Sequence, residues 1–178
     1  MVCLGLAERD GRHLFNSVVL IDTTGEVLLR HRKVNVLSEL MSPSYAAGTG
    51  ASASVVDTRF GPIALLICAD TFEDEVVAQV ASRQPSLVLV PYGWASPANT
   101  WPDHGTSLHG WIKATARRCG APVVGTDSTG KMLAGPWQGY VLGGQSAVSD
   151  ASGQLLGVLA DRRSEMRIVT VPLRRGGG

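Results

Sequence analysis

The segment Ile63-Ala-Leu-Leu-Ile-Cys-Ala-Asp-Thr-Phe-Glu-Asp74 sets the reading of the whole chain. It begins as an unbroken apolar run, the pattern of a strand buried on both faces rather than one with a wet side. Cys68 ends the run, and Asp70 and Thr71 then open an amphipathic segment. Thr71-Phe-Glu-Asp74 has the form of a capping box with Asp in its last position. The sequence therefore predicts a helix over 72–84, with Val76, Val77 and Val80 on one face. A cysteine at the C-terminal end of a buried strand, just before a helix, stands where open α/β sheets place their ligands. Backbone N–H groups and the helix dipole there favour a thiolate, which makes Cys68 the first candidate nucleophile.

Working outward, strands are predicted at 2–7, 14–22 and 27–31, with a turn at Glu8-Arg-Asp-Gly11. The short Thr23-Thr-Gly-Glu26 connection implies that the second and third pair as a hairpin. Residues 37–54 read as a long loop, and loops of that length in a compact domain are usually functional. A short strand at 54–57 turns into the segment quoted above. Beyond it come a buried strand at 86–90, an aromatic and proline-rich loop at 92–103, and a helix at 106–118. Leu108, Trp111 and Ile112 form the buried stripe of that helix, and Gly120 stops it. Strands follow at 122–126, 145–149 and 155–160, around a glycine-rich excursion at 127–142. Residues 166–171 are predicted to close the sheet, and 174–178 read as a disordered tail. Helices between the middle strands and hairpins at both ends imply a mixed α/β sheet with helices covering it.

The 178 residues are 44% hydrophobic and 17% charged, which suits one domain with a real core. With 16 basic against 15 acidic residues the net charge is +1, so there is no electrostatic case for nucleic acid or an acidic membrane surface. No apolar run approaches a membrane span, and no signal-peptide pattern opens the chain. Three cysteines without CxxC or other metal spacing argue against a disulfide framework and fit a reducing cytoplasm. Cys3 and Cys119 read as structural.

A thiol becomes a good nucleophile only when a base or a positive charge removes its proton. Lys33 directly follows the third strand, and Glu39 lies in the loop after it. His104 and His109, near the second helix, offer a rival Cys–His arrangement. Tyr92, Trp94 and Trp101 lie in or beside the loop predicted to leave the sheet at the same edge as Cys68, and so are expected to wall its pocket.

Four segments, taken in order, resemble the nitrilase or carbon–nitrogen hydrolase superfamily. They are Glu8-Arg-Asp-Gly with Asn16-Ser-Val-Val-Leu-Ile-Asp and Gly25; Arg32-Lys33; Leu66-Ile-Cys-Ala-Asp70 with Phe72-Glu73; and Gly143-Gly-Gln-Ser146 with Asp150-Ala-Ser-Gly153. The loop at Trp94 and the helix His109-Gly-Trp to Ala116-Arg117 fall in the expected places. The resemblance implies an α-β-β-α sandwich with mixed sheets and a Glu–Lys–Cys site that needs no cofactor or metal. It gives Cys68 the nucleophile's role, places Lys33 and the N–H of Ala69 at the oxyanion, and makes Glu39 the match to a second glutamate. The substrate is then a small amide, nitrile or carbamoyl compound, and the protein a homo-oligomer. The family's general-base glutamate lies well upstream of the lysine, and nothing here matches it. Residues 1–173 are therefore expected to be the C-terminal part of such a domain, with its hydrolase activity impaired by the missing base. A non-catalytic remnant serving as a binding or assembly subunit is the alternative.

Overall fold

The computed structural model describes residues 1–37, 44–50 and 54–173. Glu39 and the predicted tail at 174–178 lie outside them. Three antiparallel strands open the chain: β1 (Val2–Asp10), β2 (His13–Ile21) and β3 (Val27–Arg32), in the order β1-β2-β3. The predicted turn at residues 8–11 is instead the end of β1, which pairs as far as Asp10 with His13. Glu8 explains the difference. Its carboxylate accepts from Ser17 Oγ at 2.6 Å and from Arg30 and Arg32, so a residue that looks like loop is tied across the sheet.

The rest of the chain supplies β4 (Val55–Thr58), β5 (Gly61–Leu65), α1 (Asp74–Ala81), β6 (Leu87–Tyr92) and β7 (Ala95–Ser96). There follow α2 (His104–Cys119), β8 (Val123–Asp127), β9 (Thr129–Lys131), β10 (Val141–Gly143), β11 (Ala147–Ser149) and β12 (Leu155–Val158). Six strands form one mixed sheet in the order β12-β11-β8-β6-β5-β4, with β5, β6 and β8 parallel and antiparallel pairs at both edges.

The strand read from the sequence as buried on both faces is buried on both. Ile63, Leu65 and Ile67 pack with Val18 and Leu20 of the three-stranded sheet. Ala64 and Leu66 pack the other way, with Val76, Val77 and Val80 of α1 and with Leu108, Ile112 and Ala116 of α2. The described residues thus form three layers, helix on sheet on sheet, of the α-β-β-α sandwich. Gly120 takes a left-handed φ of 58° at the end of α2, the role its residue type suits.

Three expectations are corrected. The helix start is delayed: Cys68–Phe72 forms a 3₁₀ turn and α1 begins at Asp74 without a side-chain cap. Thr71 does not cap it, because its hydroxyl donates to the Cys68 carbonyl at 2.8 Å and meets the Tyr92 hydroxyl at 3.2 Å. The glycine-rich excursion supplies β9 and most of β10, which form a small sheet, β7-β10-β9, with β7 of the aromatic loop. Residues 166–171 form no strand, leaving Met166 and Ile168 at 92% and 95% exposure. Their alternation is a strand pattern, but a strand also requires a partner edge, and none among the described residues pairs with them.

Candidate active site

Cys68 follows β5 and opens the 3₁₀ turn with a φ of +44°. A side chain in this left-handed region costs on the order of 1–2 kcal/mol, and such strain persists only where the surroundings impose it. Here the surroundings are a carboxylate. Asp70, three residues after Ile67 and wholly buried, accepts the Ile67 N–H at 3.0 Å, while its own N–H returns to the Ile67 carbonyl at 2.9 Å. The turn projects the thiol into a cavity of about 790 Å³ at the ends of β5, β6 and β8.

Cys68, Lys33, Ala69, Tyr92 and Trp94 all line that cavity. The N–H groups of Gly93 and Ala69 face the Cys68 sulfur, and the Lys33 charge also favours its thiolate. Burial outweighs these effects, however, and pushes the thiol above its ordinary value. The resting group is a thiol, not the thiolate that its place before a helix suggested, because the turn also removes it from water. Burial likewise raises the Tyr92 phenol.

Trp94 donates its indole N–H to the His104 carbonyl at 3.1 Å, and the His104 ring stacks on it with centroids 5.2 Å apart. His104 lines the cavity, and burial lowers its basicity. His109 turns away to the Gln145 carbonyl, 2.9 Å from Nε2. Trp101 is not part of the cavity wall. It stands behind His104, edge to face, and donates to the Val141 carbonyl at 3.1 Å.

Asp127, at the end of β8, was not singled out from the sequence. It lines the cavity, its Oδ1 accepts the Trp94 N–H at 2.8 Å, and its buried Oδ2 has no partner among the described residues. Burial pushes this carboxyl up to about 6, against the pull of the Trp94, Ser128 and Gly144 N–H groups. Its only sequence signal was its place at the C-terminal end of a parallel strand. The small β7-β10-β9 sheet and its connection add Met132, Trp137 and Leu142 to the wall. Among the described residues no group of three or more His, Cys, Asp or Glu side chains could hold a metal ion. No helix there is long and apolar enough to cross a membrane.

The profile of the carbon–nitrogen hydrolase family matches residues 1–177. The chain belongs to that family. Among curated proteins it is similar to a citrullinase of Francisella tularensis, 26% identical over 57% of this chain and 36% of that protein. Among solved structures, a carbon–nitrogen hydrolase of Helicobacter pylori superposes with a TM-score of 0.77 at 20% identity, covering 91% of this chain and 59% of the other. A mutant amidase of Nesterenkonia sp. AN1 superposes with a TM-score of 0.74 at 28% identity, over 89% of this chain and 56% of that one. In that structure the acetamide moiety of fluoroacetamide is covalently added at the active-site cysteine. This carbon–nitrogen hydrolase chain therefore spans well under two thirds of the length of these relatives.

Proposed function

We propose that this chain carries the nucleophile of a carbon–nitrogen hydrolase, cleaving a small amide, nitrile or carbamoyl substrate through a thioester or its nitrile-derived equivalent at Cys68. One observation carries this reading: a cysteine on a left-handed turn shares a cavity with Lys33, and two backbone N–H groups face its sulfur. With an amide, a base removes the thiol proton and the sulfur adds to the carbonyl carbon. Lys33 and the Ala69 N–H then hold the negative oxygen, the step at which preorganised donors contribute most. The C–N bond breaks, the nitrogen leaves with a proton, and water cleaves the thioester to give the acid and restore the thiol. Tyr92 and Trp94 wall the substrate's apolar part. Because burial favours the Cys68 thiol over its thiolate, the reaction needs a general base. The resemblance gives that role to a glutamate upstream of the lysine and makes Glu39 the second glutamate.

The test is turnover on a panel of simple amides, nitriles and ureido compounds, citrulline among them. Cys68→Ala is expected to lower kcat by at least about 10³-fold, and Lys33→Met by about 10²–10³-fold. Turnover unchanged in Cys68→Ala would refute the mechanism. No turnover on any member and no substrate-derived adduct at Cys68, with the fold intact, would favour the non-catalytic subunit.

A further inference from the structure

Beneath Lys33 and Cys68 lies a buried charged cluster that this chemistry leaves without a role. The Asp70 carboxylate accepts from four donors. Oδ1 takes the N–H of Val34 and of Asn35, each at 2.9 Å. Oδ2 takes the N–H of Ile67 at 3.0 Å and lies 2.8 Å from His31 Nε2. A carboxylate only accepts, so Nε2 carries the hydrogen, and Nδ1 is left to accept the Ser54 hydroxyl at 2.6 Å. His31, Ser54 and Asp70 are all buried. Asn35 extends the cluster, its Nδ2 donating to the Ala69 carbonyl at 3.0 Å and to Glu73 Oε1 at 2.9 Å.

The backbone partners of Asp70 and Asn35 fall on two stretches of chain. One begins directly after Lys33, whose own N–H and carbonyl are held by the Asn16 carbonyl and the Gly48 N–H, each at 2.8 Å. The other is the turn that carries Cys68. A buried carboxylate held by hydrogen bonds is weak evidence for stability, since its desolvation offsets most of their attraction, but the bonds do fix geometry. We propose that Asp70, backed by His31 and Asn35, is a positioning residue: it staples the segment after Lys33 to the Cys68 turn and so holds the Lys33 ammonium at the thiol. This deepens the proposed function and rests on its pairing of Lys33 with Cys68.

The test is the pH profile of Cys68 alkylation by iodoacetamide, mapped by mass spectrometry on the full chain, with the melting midpoint measured alongside. The charges acting on the thiol are Lys33, which favours the thiolate, and Asp127, which opposes it; the Tyr92 phenol and His104 also line the cavity. Lys33→Met should move the profile up by about one pH unit. Asp70→Asn places an NH₂ group among four donors and should move it up by most of that amount, although Lys33 is still present. The sign is diagnostic, because losing a nearby negative charge would by itself move the profile down. Adding Asp70→Asn to Lys33→Met should then give no further upward shift. His31→Gln, which keeps an N–H donor, should stay with the parent, and His31→Leu should move with Asp70→Asn.

An Asp70→Asn protein that melts lower but keeps the parent profile, or shifts downward, overturns the proposal. So does a Lys33→Met profile identical to the parent. If Asp70→Asn does not fold, the two His31 variants decide, and identical parent-like profiles for both overturn it. If the shifts appear as expected in a parent that shows neither turnover nor a substrate-derived adduct at Cys68, the positioning role stands and the proposed function fails.

Discussion

At the scale of single residues, the cavity sets two ionisable groups against their solution behaviour. Burial raises Cys68, and it raises Asp127 to about 6 from an ordinary 3.8. A carboxylate with a raised folded pKa costs stability when it ionises. Its favourable state is fully present below about pH 4 and is lost as the pH rises through about 6. Asp127→Asn removes the charge and keeps the shape. It is expected to stabilise the protein at pH 8 by on the order of 1–3 kcal/mol and to do little near pH 4. Urea unfolding at the two pH values checks this. Equal effects at both would show that the gain, if any, is not electrostatic. Cys3 and Cys119 are both pushed up to about 11 by burial, which the Arg118 charge opposes at Cys119 and nothing among the described residues opposes at Cys3. Cys68 is accordingly expected to alkylate first of the three at neutral pH, as differential labelling would show.

At the scale of elements, β5 and its continuation to Ile67 are shared by two cores. Leu65 faces the three-stranded sheet and Leu66 faces the helices, both without solvent exposure. A strand with one wet face would tolerate truncation on that side. Here Leu65→Ala and Leu66→Ala are each expected to cost about 2–5 kcal/mol, read from chemical denaturation. If either costs less than about 1 kcal/mol, the two-sided burial is wrong at that position. The C-terminus of α2 offers a smaller test. Gly120 donates to the Arg117 carbonyl from a left-handed conformation, so Gly120→Ala should lower stability by about 1 kcal/mol.

At the scale of the molecule, the described surface leaves an apolar row uncovered. Val2, Leu4 and Leu6 share one face of the edge strand β1 and are 57%, 51% and 38% exposed. A row of this kind on an unpaired strand edge favours association. The 178-residue chain is expected to self-associate at micromolar concentration, and Leu4→Lys to weaken that association. Sedimentation velocity would decide; a monodisperse monomer for the parent chain would remove the expectation. The same measurement bears on the homo-oligomer that the family resemblance implies.

The sequence alone determined what local pattern can encode. An unbroken apolar run from Ile63 to Ile67 requires cover on both faces, and its break at Cys68 marks the sheet edge where Lys33, Tyr92 and Trp94 also arrive. The ordered motifs then carried the family. Tertiary structure decided whatever depends on distant neighbours. Thr71 looked like a helix cap, but the nearby Tyr92 hydroxyl and the Cys68 carbonyl claim its hydroxyl. Asp70 read as a polar residue opening an amphipathic segment, but donors from Ile67, His31, Val34 and Asn35 converge on it. Residues 166–171 have a strand's alternation and no paired edge. The thiol's ionisation is a balance of burial against Lys33 and two N–H groups, and only the packed chain sets that balance. Periodicity records which side of an element avoids water; it does not record which distant polar group will meet it there.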